Sequence, residues 1–293
     1  MTIFFHQAAL GDWVLTFPIL RALNGPVTAV SAWSKARLAA MLMDHVQPVD
    51  IEAREFSRMH APDGPAALGP AVEQLLADAR LLISFVSGPH DPWALSARRL
   101  TPGAEVIFVQ PRPPRNWTGH VCEWHDQQLS QQGLELVPAM VPHGGCADGP
   151  VVVHPGSGGN EKCWPATRFE ALIDTLRAGG KIVRPLLGEV ELDRWPTQRL
   201  DHWRQTYGAR CIESLETLHQ EVADASLFVG NDAGPTHLAA QMGLRTLALF
   251  GPTRPQRWRP IGPSVEVLAP PEPAPMSWLK IEAVVEACHA APA

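Results

Sequence analysis

Asp232, Gly234, Pro235, Thr236 and His237 crowd polar and conformationally special residues between an apolar run, 227–229, and a stretch of helical spacing, 235–242. Such a strand-to-helix junction can hold an anion, because the first helical turn leaves backbone N–H groups without intrahelical partners and carries partial positive charge. Proline suits that turn, where no N–H is needed. Capping of the helix by Asn231 or Asp232 explains the same residues equally well. The second candidate is the loop 154–165. Its Gly156, Ser157, Gly158 and Gly159 let a ligand approach the backbone, and Lys162 supplies a compact charge suited to phosphate. A solvated loop lysine is the plain alternative. Trp164 either stacks on a sugar or base, or anchors the next helix. The loop fits neither G-x-x-x-x-G-K-[ST] nor G-x-G-x-x-G, so a P-loop ATPase and an NAD enzyme both lose ground.

Asp12 follows a loop of small residues and opens a helical stretch. An ionised carboxylate there can take a proton from a hydroxyl nucleophile, and an N-cap is the competing role. Glu189 and Glu191 follow the strand-like run 181–187, where a carboxylate can accept hydrogen bonds from sugar or ribose hydroxyls or simply complement a helix dipole. Arg112 and Arg115 offer positive charge to an anionic acceptor, or are surface charge. No D-x-D occurs, and His, Cys and carboxylates lack metal-ligand spacing, so neither a metal nor another cofactor is expected.

These residues need elements to hold them. Strands are expected at 2–5, 27–31, 81–86, 105–110, 151–154, 181–187, 210–213, 227–229, 246–250 and 265–268. Helices are expected at 12–23, 35–43, 70–79, 120–132, 166–178, 191–207, 215–225, 235–242 and 278–290. Alternating strands and helices give parallel sheets covered by helices, hence an α/β fold. The Pro- and Gly-dense stretch 137–150 is the best linker between two halves of similar type. Domains of 1–140 and 151–270 follow, separated by a cleft fed from both.

A chain of 293 residues suits two domains of about 150 each. Its 45% hydrophobic and 18% charged content is that of a globular protein with full cores. A net charge of −6 argues against a nucleic-acid partner. Five dispersed cysteines without C-x-x-C read as thiols in a reducing compartment. The N-terminus lacks a basic n-region and carries Asp12 amid its apolar residues, so it reads as strand, loop and helix rather than a signal peptide. The expected location is the cytoplasm.

Three segments together resemble the family 9 glycosyltransferases, the ADP-heptose:lipopolysaccharide heptosyltransferases and their relatives. They are ALGDWVLTFPILRAL (9–23), HPGSGGNEKCWP (154–165) and NDAGPTHLAAQMGLRTLALFGPTRPQRWRP (231–260), in the family's order and separation. The resemblance implies a GT-B arrangement of two Rossmann-like parallel-sheet domains facing a central cleft, with acceptor held by the first and nucleotide-sugar by the second. It implies that Asp12 is the general base and that Ser157 and Lys162 hold the donor diphosphate. Asp232, Gly234, Pro235, Thr236 and His237 would cradle phosphate and sugar, and Glu191, or its competitor Glu189, would meet the donor's hydroxyls. Arg112 and Arg115 remain the acceptor-side candidates. The implied reaction is inverting, metal-independent transfer of a sugar, heptose from ADP-heptose, onto a lipopolysaccharide-core or related glycan, by a monomer. A lipid-linked acceptor implies peripheral contact with the inner membrane. In many GT-B proteins the last helix returns to the N-terminal domain, which would place 276–291 there. Two features depart from the family: His6 and Gln7 stand where it usually carries Lys or Arg, and 48–70 is abbreviated or irregular. A nucleotide-sugar epimerase or hydrolase, a non-catalytic binder, and an NAD-dependent oxidoreductase are the alternatives.

Overall fold

Apolar runs too short for helices, each closed by glycine, proline or polar residues, form two parallel sheets. The structure is a computed structural model and describes residues 1–61, 68–137 and 139–290. The chain divides into two compact units, Met1–Ala139 and Met140–Ala293.

The first unit contains β1 (Thr2–Phe5), β2 (Val27–Ser31), β3 (Val46–Asp50), β4 (Leu81–Ser84) and β5 (Glu105–Phe108). They lie in the order β3-β2-β1-β4-β5, and every pairing is parallel, with Ile3 opposite Thr28 on one side and Leu82 on the other. β1 is central and buried throughout. That is why TIFF lacks polar alternation: helices cover both faces of a parallel sheet. β3, with Pro48 in it, is not among the expected strands. Pro48 is tolerated at the sheet edge, where a missing N–H costs no ladder bond. After β3, the irregular stretch folds into a short helix, Arg54–Ser57, and a 3-10 turn, Arg58–His60; residues 62–67 of it lie outside the described residues.

The helix expected over 12–23 is two helices, Leu10–Val14 and Phe17–Ala22. Pro18 sits in the first turn of the second and cannot donate to a continuous helix. A further helix beyond those expected, Pro92–Leu100, buries Trp93, Ala94 and Ala97 against the sheet. Phe5 packs between Trp93 and Phe56, with ring centroids at 4.9 and 5.5 Å, both edge to face.

The second unit contains β6 (Val151–His154), β7 (Val183–Leu187), β8 (Arg210–Cys211), β9 (Leu227–Asn231), β10 (Thr246–Leu249) and β11 (Val265–Leu268). Their order is β11-β10-β9-β6-β7-β8, again all parallel. The single helix expected over 191–207 is split into Glu189–Arg194 and Thr197–Tyr207 by Pro196, the N-cap of the second. Trp164 anchors the core rather than facing a ligand: it is 1% exposed, edge-on to Phe169 at 5.0 Å, and donates from Nε1 to Leu279 O at 3.0 Å.

The terminal helix is Ile281–His289. It packs on helix Ala166–Ala178 within the second unit. Val284, Ala287 and Cys288 of its apolar face, with Leu279 just before the helix, belong to the second core. Residue 291, the last of that expected segment, lies outside the described residues. Among the described residues no helix is long and apolar enough to cross a membrane.

Candidate functional site

In the second sheet, β6 leads to β7 and β8 on one side while β9 begins on the other, so the chain order reverses between β6 and β9. Loops leaving neighbouring strands at such a point diverge and open a crevice at their carboxyl ends. The two loops that the sequence singles out are those that meet here. Ser157 donates from Oγ to the Asp232 carbonyl at 2.7 Å, and Lys162 Nζ lies 2.9 Å from Asp232 Oδ2. Thr253, following β10, donates to the same Oδ2 at 2.8 Å, and His237 Nε2 lies 3.5 Å from Oδ1.

Asp232 is therefore a hub for these side chains. Its carboxylate is only 6% exposed while Lys162 is 31% exposed, so the ammonium is held by Asp232 yet remains accessible. Burial would raise the Asp232 pKa, but the His237 hydrogen bond and the charges of His237 and Lys162 outweigh it and pull it down to about 2.

Capping does not account for the Asn-Asp pair. The helix Gly234–Gln241 has Ala233 as its N-cap, with no side chain capping it. Asn231 remains in β9, donating to Pro155 O at 2.6 Å and accepting from the Trp164 N–H at 3.0 Å. Thr236 returns its hydroxyl to Asn231 O at 2.6 Å. Both side chains thus tie the β6 loop to the β9 turn, and the helix start stays uncapped beside Lys162's anchor.

Glu191 and Glu189 part company. Glu189 is exposed, whereas Glu191 is 1% exposed and accepts from the Gly188 N–H at 2.8 Å, with His154 Nε2 at 3.5 Å from the same oxygen. A Cβ on Gly156 would fall 1.8 Å from Glu191 Oε1. Glycine at 156 is what lets this carboxylate fold under the loop. Burial pushes the His154 pKa down against the pull of Glu191. Arg194 donates to Gly158 O at 3.0 Å and pins the other side of the loop.

In the first unit Asp12 is half-buried in the first turn of Leu10–Val14, but the N-cap is Ala9. Among the described residues nothing hydrogen-bonds its carboxylate, so capping does not use it. Asp12 lines a niche with His6, Leu15, Pro111, Val121 and His125. Lys35, half-buried on helix Trp33–Leu42, donates to Ala8 O and feels the charges of Glu52 and Asp12, which oppose the downward push of burial on its pKa. Arg112 and Arg115 are exposed on the segment that carries Pro111.

The structure thus brings Ser157, Lys162, Asp232, Thr236 and His237 together in one unit, and sets Asp12 in a separate niche of the other. Thr253, Asn231 and His154 carry no sequence signal for these contacts, although all three lie in segments that bear the family resemblance. Lys35 and His125 escape sequence reasoning altogether, since nothing in their spacing links them to Asp12.

The profile of glycosyltransferase family 9 (heptosyltransferase) matches residues 121–283, more than half of the chain. The chain belongs to glycosyltransferase family 9. A stretch of 145 residues is 31% identical to lipopolysaccharide heptosyltransferase 3 of Escherichia coli, spanning 46% of this chain and 43% of that relative. The matched part is thus less than half of the relative's length. Among solved structures, E. coli heptosyltransferase WaaC with ADP superposes with a TM-score of 0.70 at 18% identity, covering 98% of both chains. WaaC with ADP-2-deoxy-2-fluoro heptose gives 0.64 at 17% identity, again over 98% of both. Likeness at this identity shows the fold, the GT-B class built from two Rossmann-like parallel-sheet units. The cluster from Ser157 to Thr253 lies inside the matched family 9 region, whereas Asp12 lies outside it.

Proposed function

We propose that this family 9 protein is an inverting glycosyltransferase that moves heptose from ADP-heptose onto a lipopolysaccharide-core or related glycan. The observation that carries the reading is the Lys162–Asp232–His237 cluster at the β6/β9 crevice, beside an uncapped helix start. The ligands of WaaC, ADP and a fluorinated ADP-heptose, support this choice of donor.

The chemistry follows from the groups present. Asp12 takes the proton of an acceptor hydroxyl as its oxygen attacks the anomeric carbon. The carbon–oxygen bond to the diphosphate breaks, and the diphosphate leaves with the electron pair. Attack opposite the leaving group inverts the anomeric centre. A positioned base contributes about 10² to 10⁴ in rate. Lys162 and the start of helix Gly234–Gln241 meet the charge that develops on the leaving group. Asp232 keeps the lysine in place, and Ser157 and Thr236 keep the two loops in register. A lipid-linked acceptor would bring the enzyme to the inner face of the inner membrane.

Calorimetric titration of the metal-free protein with ADP, UDP, GDP and NAD tests the donor, and turnover of two variants tests the roles. We expect ADP to be preferred, Lys162→Ala to weaken ADP about 10- to 100-fold, and Asp12→Ala to lose most turnover with ADP binding intact. Preference for UDP or GDP replaces the donor, binding of NAD alone overturns the function, and full turnover in Asp12→Ala removes the base.

A further inference from the structure

Three side chains reach the Asp232 carboxylate, and their distances are unequal. Thr253 Oγ1 donates to Oδ2 at 2.8 Å and Lys162 Nζ at 2.9 Å, whereas His237 Nε2 stands 3.5 Å from Oδ1, at the far limit of a hydrogen bond. A carboxylate oxygen has two lone pairs, and the two short bonds engage both on Oδ2. An ammonium carries three N–H donors, and Lys162 gives Asp232 one of them. The lysine is the accessible partner, at 31% exposed against 6% for Asp232. An arriving anion therefore draws on the lysine. The Thr253 hydroxyl, which carries no charge, is then the short contact that keeps Oδ2 in place.

Thr253 belongs to neither a strand nor a helix. It lies in the loop 250–254 after β10, and that loop is tied from behind by 274–279. Trp278 Nε1 donates to Phe250 O at 2.9 Å, and the Ala274 N–H to Gly251 O at 3.0 Å. A Cβ on Gly251 would fall 2.4 Å from Met276 Sδ and 2.9 Å from Ala274 O, so glycine is what lets the two segments close. Met276 is buried in the second core. The same segment also holds the β6 side of the crevice. Leu279 O accepts from Trp164 Nε1 at 3.0 Å, and Ser277 O from Arg168 at 3.0 Å. Trp164 stands two residues after Lys162, and its N–H donates to Asn231 Oδ1 at 3.0 Å. Residues 274–279 thus bridge the loop that carries Lys162 and the loop that carries Thr253, and the two loops meet at Asp232.

We propose that Thr253, held by the strap 274–279, is a positioning residue of the donor site: it fixes the Asp232 carboxylate so that Lys162 is presented to the diphosphate in one place. This deepens the transferase reading and rests on it for the identity of the anion. The hydroxyl, rather than the bulk of the side chain, is the working part. A cation held in advance needs no reorganisation as charge develops on the leaving group.

The test is calorimetric titration of the full chain with ADP, for the parent and for Thr253→Val, Thr253→Ser and Trp278→Phe. Carbon NMR of the Asp232 carboxyl, its signal assigned from Asp232→Asn, follows the same proteins with pH. Thr253→Val keeps the shape and removes the donor, so ADP should bind about 3- to 10-fold more weakly. Asp232 should begin to protonate at higher pH than in the parent, because a hydrogen bond to the charged form lowers a carboxyl pKa. Thr253→Ser should restore both, and Thr253→Ala provides the same comparison if the valine variant does not fold. Trp278→Phe loses the bond to Phe250 O. It should weaken ADP binding by the parent yet add little to Thr253→Val, because the strap acts through the threonine.

Parent-like ADP affinity in Thr253→Val overturns the inference, as does full additivity of Trp278→Phe with it. Weaker ADP binding with Asp232 titrating as in the parent also overturns it, since the hydroxyl would then meet the ligand itself. Absence of ADP binding by the parent removes the donor assignment, and the Asp232 titration then decides the role of Thr253 alone.

Discussion

Asp232 shows how one buried carboxylate gathers side chains from three segments of the chain. Lys162, Thr253 and His237 all converge on it, and removing it would free the lysine that the proposed diphosphate needs. Its pKa of about 2 lies below the ordinary 3.8. Its stabilisation is therefore complete above the unfolded value and is lost as pH falls from 3.8 through about 2. The effect is on the order of 2 kcal/mol, because each tenfold change in proton affinity between the folded and unfolded chain is worth about 1.4 kcal/mol. In Asp232→Asn the acid-dependent part disappears. Denaturant unfolding between about pH 5 and about pH 3 should give a flatter stability profile for the variant than for the parent, and parallel profiles would contradict this account. The signals for Lys162 and Asp232 lay in residue type and local spacing. Their contact did not, because it joins positions separated by a whole βαβ unit.

At the scale of elements, prolines decide where helical patterns break and where strands are tolerated. Pro18 and Pro196 divide two stretches whose apolar spacing is continuous, and Pro48 is tolerated in an edge strand. The entry to the terminal helix is held by burial: Leu279, just before it, is fully buried and its carbonyl accepts from Trp164. Leu279→Ala should cost about 2–5 kcal/mol through lost burial and the cavity left behind. Calorimetry should show the second unit melting earlier, while near-ultraviolet dichroism reports the Trp164 environment. An unchanged midpoint would mean that Leu279 contributes nothing to the second core.

At the scale of the molecule, each unit has its own sheet and its own apolar core, so each is able to respond to a ligand by itself. A donor bound at Lys162 stabilises the unit that binds it, by about 2.7 kcal/mol when ADP is 100-fold above its Kd. Hydrogen exchange with saturating ADP should therefore slow amides in 154–165 and 231–254, with 2–42 little changed. Protection confined to the first unit would move the donor site away from the β6/β9 crevice.

The order of elements, the parallel α/β class and the family were legible in the chain, because buried parallel strands are written as contiguous apolar runs and the loops that follow them as compact motifs. Strands such as Thr2–Phe5, Val151–His154 and Val265–Leu268 stand where the pattern put them. Only the tertiary structure decided what the polar residues touch. It assigned Asn231 and Asp232 to cross-loop bonds rather than caps, turned Glu191 inward beneath Gly156, buried Trp164 in the core, and placed His125 beside Asp12. Local spacing records how each segment meets its own sheet, while a contact between loops depends on strand order, and strand order is set by packing between segments far apart in the chain.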